Sequence, residues 1–288
     1  MKILTLTVLL SLSVFAIDKV IYGTDDRVEA YQFSDRRFAK MSQSVGAMIH
    51  KDKFVMVNTP NGKRAKIMAM TLKESEELCE GQRFADQLTP ADCSGFLVSP
   101  RVLITAGHCV TDKADCNDYL WTFNFHNKKN LFNKNEIYKC KKVITSKLTE
   151  FQEVDYAIIL LDRPVKNATP LNFRRNGKLY SGERMVVIGH PSGLPLKITD
   201  RAVSLPSAFN SRTFFRVNSD TFAGNSGSPV INRKSGVVEG ILVRGEQDYR
   251  YIPDRGCSIV NICSKKRKCK GEDATRITIV KELYRKLN

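Results

Sequence analysis

Residues 103–109 read Leu103-Ile-Thr-Ala-Gly-His-Cys109, a short apolar run that stops on a glycine, a histidine and a cysteine. A few apolar residues closed by a turn signal make a buried strand, whereas a helix needs a longer periodic run. The same grammar recurs along the chain. Gly95 to Val98, Val102 to Thr105, Ala157 to Leu161, Met185 to Ile188 and Val237 to Val243 are separated by Gly, Pro, Asn and Asp. Val45 to Ile49 and Ala65 to about Met70 predict two further strands in a mixed leader. Many short strands with frequent turns predict an all-β barrel or sandwich. Only the end departs from this. In Arg276 to Asn288, Ile279, Val280, Leu283, Tyr284 and Leu287 recur at spacings of three and four, which predicts a helix packed on the body.

The composition bounds the class. Of 288 residues, 42% are hydrophobic and 26% charged, which excludes disordered and collagen-like chains. Lys and Arg outnumber Asp and Glu by 46 to 30, a net charge of +16. Such a balance can attract anionic polymers. The cations are spread along the chain, however, with one dense run at Lys265 to Lys270, and this reads as a solvated surface with no nucleic-acid partner.

Lys2, the apolar run Ile3 to Phe15 and the small residue Ala16 have the order of an export signal over residues 1–16. That run is shorter than the roughly 20 apolar residues of a membrane span, and no later run is longer. None of the eight cysteines lies in this leader: Cys79, Cys93, Cys109, Cys116, Cys140, Cys257, Cys263 and Cys269. An even set in an exported chain predicts disulfides. No pair has Cys-x-x-Cys spacing, so no structural metal is expected. The expectation is a soluble, secreted or periplasmic monomer.

Three segments carry chemistry together. His108 ends the first. Asp155 opens the run Asp155-Tyr-Ala-Ile-Ile-Leu-Leu161, and Ser226 sits in Phe222-Ala-Gly-Asn-Ser-Gly-Ser-Pro-Val230. A serine hydroxyl is a weak nucleophile at neutral pH and needs a base in hydrogen-bond reach. An imidazole suits, because its ordinary pKa lies near neutrality. The imidazole in turn needs a carboxylate on its far nitrogen to fix the tautomer. Glycines around the serine let the N–H groups of Gly224 and Ser226 approach a substrate carbonyl as oxyanion donors.

These segments resemble those of the chymotrypsin/trypsin family, and within it the bacterial glutamyl-endopeptidase-like branch. Ala-Gly-His-Cys is similar to the family's histidine motif, Asp155-Tyr-Ala-Ile-Ile-Leu to its aspartate motif, and Gly224-Asn-Ser-Gly-Ser-Pro229 to the bacterial serine motif. The order His, Asp, Ser is also the family's. The resemblance runs from about Cys93 to Gly245 and includes the terminal helix.

It implies two antiparallel six-stranded β-barrels with a C-terminal α-helix. Residues 17–75 would lead into a first barrel at 76–170 bearing His108 and Asp155. A second barrel at 171–288 would bear Ser226. The resemblance further implies a Cys93–Cys109 disulfide, hydrolysis of a protein or peptide substrate through an acyl-enzyme, and no cofactor. Cys116–Cys140 is a candidate pair, and Cys79 with the three late cysteines is left open.

The resemblance also frames specificity. Asp220, six residues before Ser226, stands where such enzymes floor their primary pocket, and a carboxylate there would favour a basic residue before the scissile bond. Alternatively it bonds backbone amides and faces away. Glutamate preference is the other reading. Thr221 fits it and Arg244 could attract an acidic substrate, but Leu242 stands where a histidine is expected. Asn225 replaces the aspartate that pairs with a freed N-terminal amine in vertebrate members, so that switch is not expected here. Val20-Ile-Tyr-Gly resembles a mature start, which predicts removal of a short propeptide, Ile17 to Lys19. Val243 takes the place of a hydroxyl residue that supports the aspartate. His190, in Ile188-Gly-His-Pro-Ser-Gly193, reads as part of a turn.

Two other functions compete. A quality-control protease of the HtrA type would need a peptide-binding module that the residues after Gly245 do not accommodate. A protease-like protein without turnover would use its basic barrel to bind anionic surfaces.

Overall fold

The computed structural model describes residues 21–149, 153–206, 211–263 and 269–286. Six strands close a first barrel in the order Ile137–Leu148, Asp155–Leu161, Val102–Thr105, Ala91–Leu97, Val45–His50 and Tyr119–Phe123. Antiparallel registers such as Ile159 opposite Leu103 and Leu97 opposite Leu103 turn alternate apolar side chains inward. Trp121, Leu97, Leu103 and Ile159 fill the interior. Burying each such side chain contributes about 1.5–3 kcal/mol.

The second sheet has seven strands. Its order is Phe214–Val217, Glu272–Arg276, Val238–Arg244, Pro229–Asn232, Arg184–Gly189, Lys197–Val203 and the short Val28–Glu29. The Ser204–Val217 bridge joins the end of Lys197–Val203 back to Phe214–Val217, so six of these strands wrap into a second barrel. Val28–Glu29 adds to the outside of that wall, pairing with Lys197 and Ile198. One apolar cluster runs through both halves, from Phe96 and Ile104 to Ile188, Ile241 and Leu283.

The expected C-terminal helix is present, but it starts later than the apolar spacing from Arg276 predicts. Glu272–Arg276 is a strand, 277–279 is one tight 3-10 turn, and among the described residues the α-helix covers Glu282–Lys286. The reason is local. Ile277-Thr278-Ile279-Val280 are all β-branched and lose side-chain freedom in a helix, while Ala274 and Thr275 pair with Phe215 and Phe214. Ile277, Val280 and Leu283 still reach the core. Leu287 lies outside the described residues, as do the export signal and the segment Ile17 to Lys19.

Four disulfides cross-link the chain: Cys79–Cys257, Cys93–Cys109, Cys116–Cys140 and Cys263–Cys269. The first ties the leader of the first barrel to a hairpin late in the second half. No described helix is long and apolar enough to cross a membrane.

Candidate active site

The strand Val102–Thr105 delivers the chain into a tight turn at Gly107–Cys109, and the Cys93–Cys109 disulfide anchors that turn to the neighbouring strand. His108 thereby stands at the barrel edge beside Asp155, the first residue of its strand. Asp155 has 0% exposure. One carboxylate oxygen, Oδ2, lies 2.7 Å from His108 Nδ1. The other accepts the N–H groups of Gly107 at 2.5 Å and His108 at 3.1 Å. A buried carboxylate with three such partners is held in one orientation, facing the imidazole. Thr275 Oγ1 donates to the Asp155 backbone carbonyl at 2.9 Å, so a hydroxyl from the second barrel braces the residue. Val243, in the place of the expected supporting hydroxyl, is buried in the core.

Ser226 comes from the second barrel, on the loop before Pro229–Asn232. Its backbone carbonyl accepts the Ser94 N–H at 2.8 Å, and Cys109 Sγ lies 3.9 Å from the same oxygen. The residue after His108 and the candidate nucleophile therefore touch across the cleft. Among the described residues no hydrogen bond joins Ser226 Oγ to His108. Such bonds are commonly long before substrate binds.

Backbone geometry around Ser226 requires glycine. Gly224 and Gly227 have φ of +84° and +88°. A Cβ at Gly227 would lie 2.1 Å from the Ser94 carbonyl oxygen, and one at Gly224 would lie 2.5 Å from the His190 carbonyl oxygen. Ser94 pins the loop from the other side, since its hydroxyl donates to the Gly224 carbonyl at 2.7 Å and accepts the His190 N–H at 3.0 Å. Among the described residues no acceptor takes the N–H of Gly224 or Ser226, and both remain available to an incoming oxygen.

Cys93, His108 and Cys109 bring three potential ligand atoms within 4.8 Å of one another. Both sulfurs are spent in the disulfide, and a thiolate is what binds a metal.

The sequence profile of the trypsin-like peptidase domain matches residues 93–241, just over half of the 288 residues. The chain belongs to the trypsin-like peptidase family. Solved structures agree in fold. Human heparin binding protein matches 85% of this chain and 91% of its own, with 11% identity and a TM-score of 0.55. A Glu endopeptidase solved with MPD matches 93% of this chain and all of its own, with 16% identity and a TM-score of 0.54. A scabies mite inactivated protease paralogue matches 85% and 94%, with 15% identity and a TM-score of 0.51. At such identities the likeness is one of fold. No curated protein matches the sequence.

In this trypsin-like peptidase the expected pocket residues separate. Asp220 is 4% exposed, and its two oxygens accept the N–H groups of Tyr22 at 2.6 Å and Asp26 at 2.8 Å. It therefore fastens the N-terminal segment to the loop before Ser226. Burial pushes its carboxyl up to about 7, against those N–H bonds, and the facing Asp26 carboxylate adds to the rise. Leu242 points into the core of the second barrel with Phe215 and Val230. Arg244 bonds Asp273 at 2.8 Å and stacks on Phe214. Asn225 is buried, its side-chain oxygen accepting from the Ser228 hydroxyl at 3.3 Å.

The sequence reading missed Tyr22, Arg27 and Glu272, which lie beside the loop before Ser226. Thr221 Oγ1 donates to Glu272 at 3.0 Å, and the Tyr22 hydroxyl donates to the same buried carboxylate at 3.4 Å. Arg27 is fully buried, paired with Asp25 at 2.8 Å, its guanidinium 4.0 Å over the Phe222 ring. An Asp-x-Arg pair at Asp25 and Arg27 is visible in the sequence, but nothing local points it at Phe222. His190 is buried and stacked on Phe125. Its Nδ1–H donates to the Leu194 carbonyl at 2.9 Å, which makes it a turn residue.

Proposed function

We propose that this trypsin-like peptidase is an exported serine endopeptidase, with Ser226 as nucleophile, His108 as general base and Asp155 as the residue that orients it. The supporting observation is the buried Asp155 carboxylate 2.7 Å from His108 Nδ1, with the next residue, Cys109, placing its Sγ 3.9 Å from the Ser226 carbonyl oxygen. Ser226 Oγ attacks the scissile carbonyl and His108 Nε2 takes its proton. The tetrahedral oxygen settles on the N–H groups of Gly224 and Ser226, each worth about 3–4 kcal/mol. His108 then protonates the leaving amine, and water frees the acyl-enzyme by the same route. No step calls for a cofactor. The four disulfides and the leader over residues 1–16 support export.

For specificity we favour a basic residue before the scissile bond. The reading rests on the place of Asp220, six residues before Ser226; Asp220 accepts the N–H groups of Tyr22 and Asp26, and the neighbouring buried Glu272 accepts the hydroxyls of Thr221 and Tyr22. Glutamate preference has less support, since Arg244 is held by Asp273. Cleavage of a peptide library tests both claims. Cuts after Lys and Arg that vanish in Ser226→Ala are expected. An intact library with the folded wild-type protein would reject the enzyme.

A second reading, a protease-like binding protein for anionic surfaces, draws on the net charge of +16 and on the likeness to a heparin binding protein. It predicts binding without turnover in that same assay.

A further inference from the structure

The strands Phe54–Thr59 and Gly62–Ile67 form a hairpin beside the first barrel, capped by the short strand Leu131–Phe132. A groove of about 630 Å³ separates the hairpin from the barrel wall. Its floor is apolar. Phe54, Met56 and Ala65 come from the hairpin, and Leu120 and Ile137 from the barrel. Met56 is 56% exposed, an apolar side chain left in water where the groove opens.

The rim is cationic. Lys51, Lys134, Lys139 and Arg163 line the groove against one lining carboxylate, Asp162. Asp162 is spent on Arg163, at 2.7 Å, and Lys51 is paired with Asp118 at 2.6 Å. Lys134 and Lys139 are exposed and, among the described residues, enter no ion pair. Arg163 is already fixed, since it donates to the Ile137 carbonyl at 2.8 Å and stacks 4.2 Å over Tyr138. A pre-ordered cation costs a ligand little further ordering.

We propose that this groove docks a peptide segment of a partner protein whose apolar side chains are flanked by Asp or Glu. Charge complementarity selects the acidic flanks, because the lining carries four cations and a single, already paired carboxylate. The floor selects the apolar anchors. A sulfated polysaccharide would use the lysines and gain nothing from Phe54 and Met56, so the two halves of the groove together specify an amphipathic acidic peptide. The cations that the sequence spreads along the chain are here gathered by the fold.

The test is fluorescence anisotropy with a labelled twelve-residue peptide alternating Phe or Leu with Glu. The full chain carries Ser226→Ala, so that the probe survives whether or not the wild type is an enzyme. Saturable binding is expected, weakened about tenfold by Met56→Asp and about tenfold by Lys134→Glu with Lys139→Glu. All three side chains are exposed, so the variants should keep the wild-type circular dichroism. A control peptide with Ser in place of its apolar residues should bind at least about tenfold more weakly. Two results would overturn the proposal. One is the absence of saturable binding. The other is equal binding of the Ser control or a heparin fragment with no loss on Met56→Asp, which would make the surface a polyanion site.

Discussion

His108 Nδ1 and Asp155 Oδ2 are 2.7 Å apart, and the second oxygen of that buried carboxylate is already taken by the Gly107 and His108 N–H groups. The carboxylate therefore cannot rotate away from the imidazole without abandoning two backbone donors. Asp155→Asn would keep an oxygen for those donors and turn its amide toward Nδ1, forcing the proton onto Nε2, where it cannot accept from Ser226. The expected outcome is a fall in kcat of about 10⁴-fold with a nearly unchanged melting temperature. Steady-state kinetics on a small ester together with thermal melts check it. A loss below about tenfold would mean that the pair does not set the tautomer.

His190 should make the fold acid-sensitive. Burial holds its imidazole at about 3 in the folded protein, while the unfolded chain takes up the proton near 6.5. The stabilisation present above about 6.5 is therefore lost as pH falls toward about 3. The slope from this group alone is up to about 1.4 kcal/mol per pH unit. His190→Phe keeps a ring against Phe125 and removes the titration. Denaturant melts at pH 6.5, 5 and 4 should show a shallower decline in the variant, and an identical decline would assign the acid sensitivity elsewhere.

The disulfides should differ in worth. Cys79–Cys257 closes a separation of 178 residues and Cys263–Cys269 one of 6. In the chain-entropy account the longer closure stabilises by about 3 kcal/mol more. Replacing Cys79 and Cys257 by Ala should therefore lower stability well beyond replacing Cys263 and Cys269. Urea unfolding of the two double variants checks the order, and equal losses would mean that strain or residual structure outweighs loop length.

Much of the fold was written locally. Val45 to Ile49, Val102 to Thr105 and Ala157 to Leu161 are short apolar runs closed by turn residues, and each became a strand within a residue or two of its apolar limits. The positions of His108, Asp155 and Ser226 were legible for a related reason, because each adjoins such a run. What failed to show was non-local. Asp220 meets Tyr22 across 198 residues and Asp26 across 194, and no pattern near Asp220 announces those partners. Glu272 reads as an exposed charge until the strand pairing of its neighbours buries it. The terminal helix was overdrawn because threefold and fourfold spacing in Ile279 to Leu287 outvoted the β-branched residues that start it. The basic groove has no linear signature, since Met56 and Lys139 are brought together only by the hairpin.

The central claim is that Ser226 is a nucleophile activated by His108. The most direct measurement is labelling of the intact protein by a fluorophosphonate, with the adduct mapped by peptide mass spectrometry. One adduct per chain on Ser226 is predicted, abolished by Ser226→Ala and slowed at least about 10³-fold by His108→Ala. A folded wild-type protein that stays unlabelled, or an adduct on another serine, would contradict it.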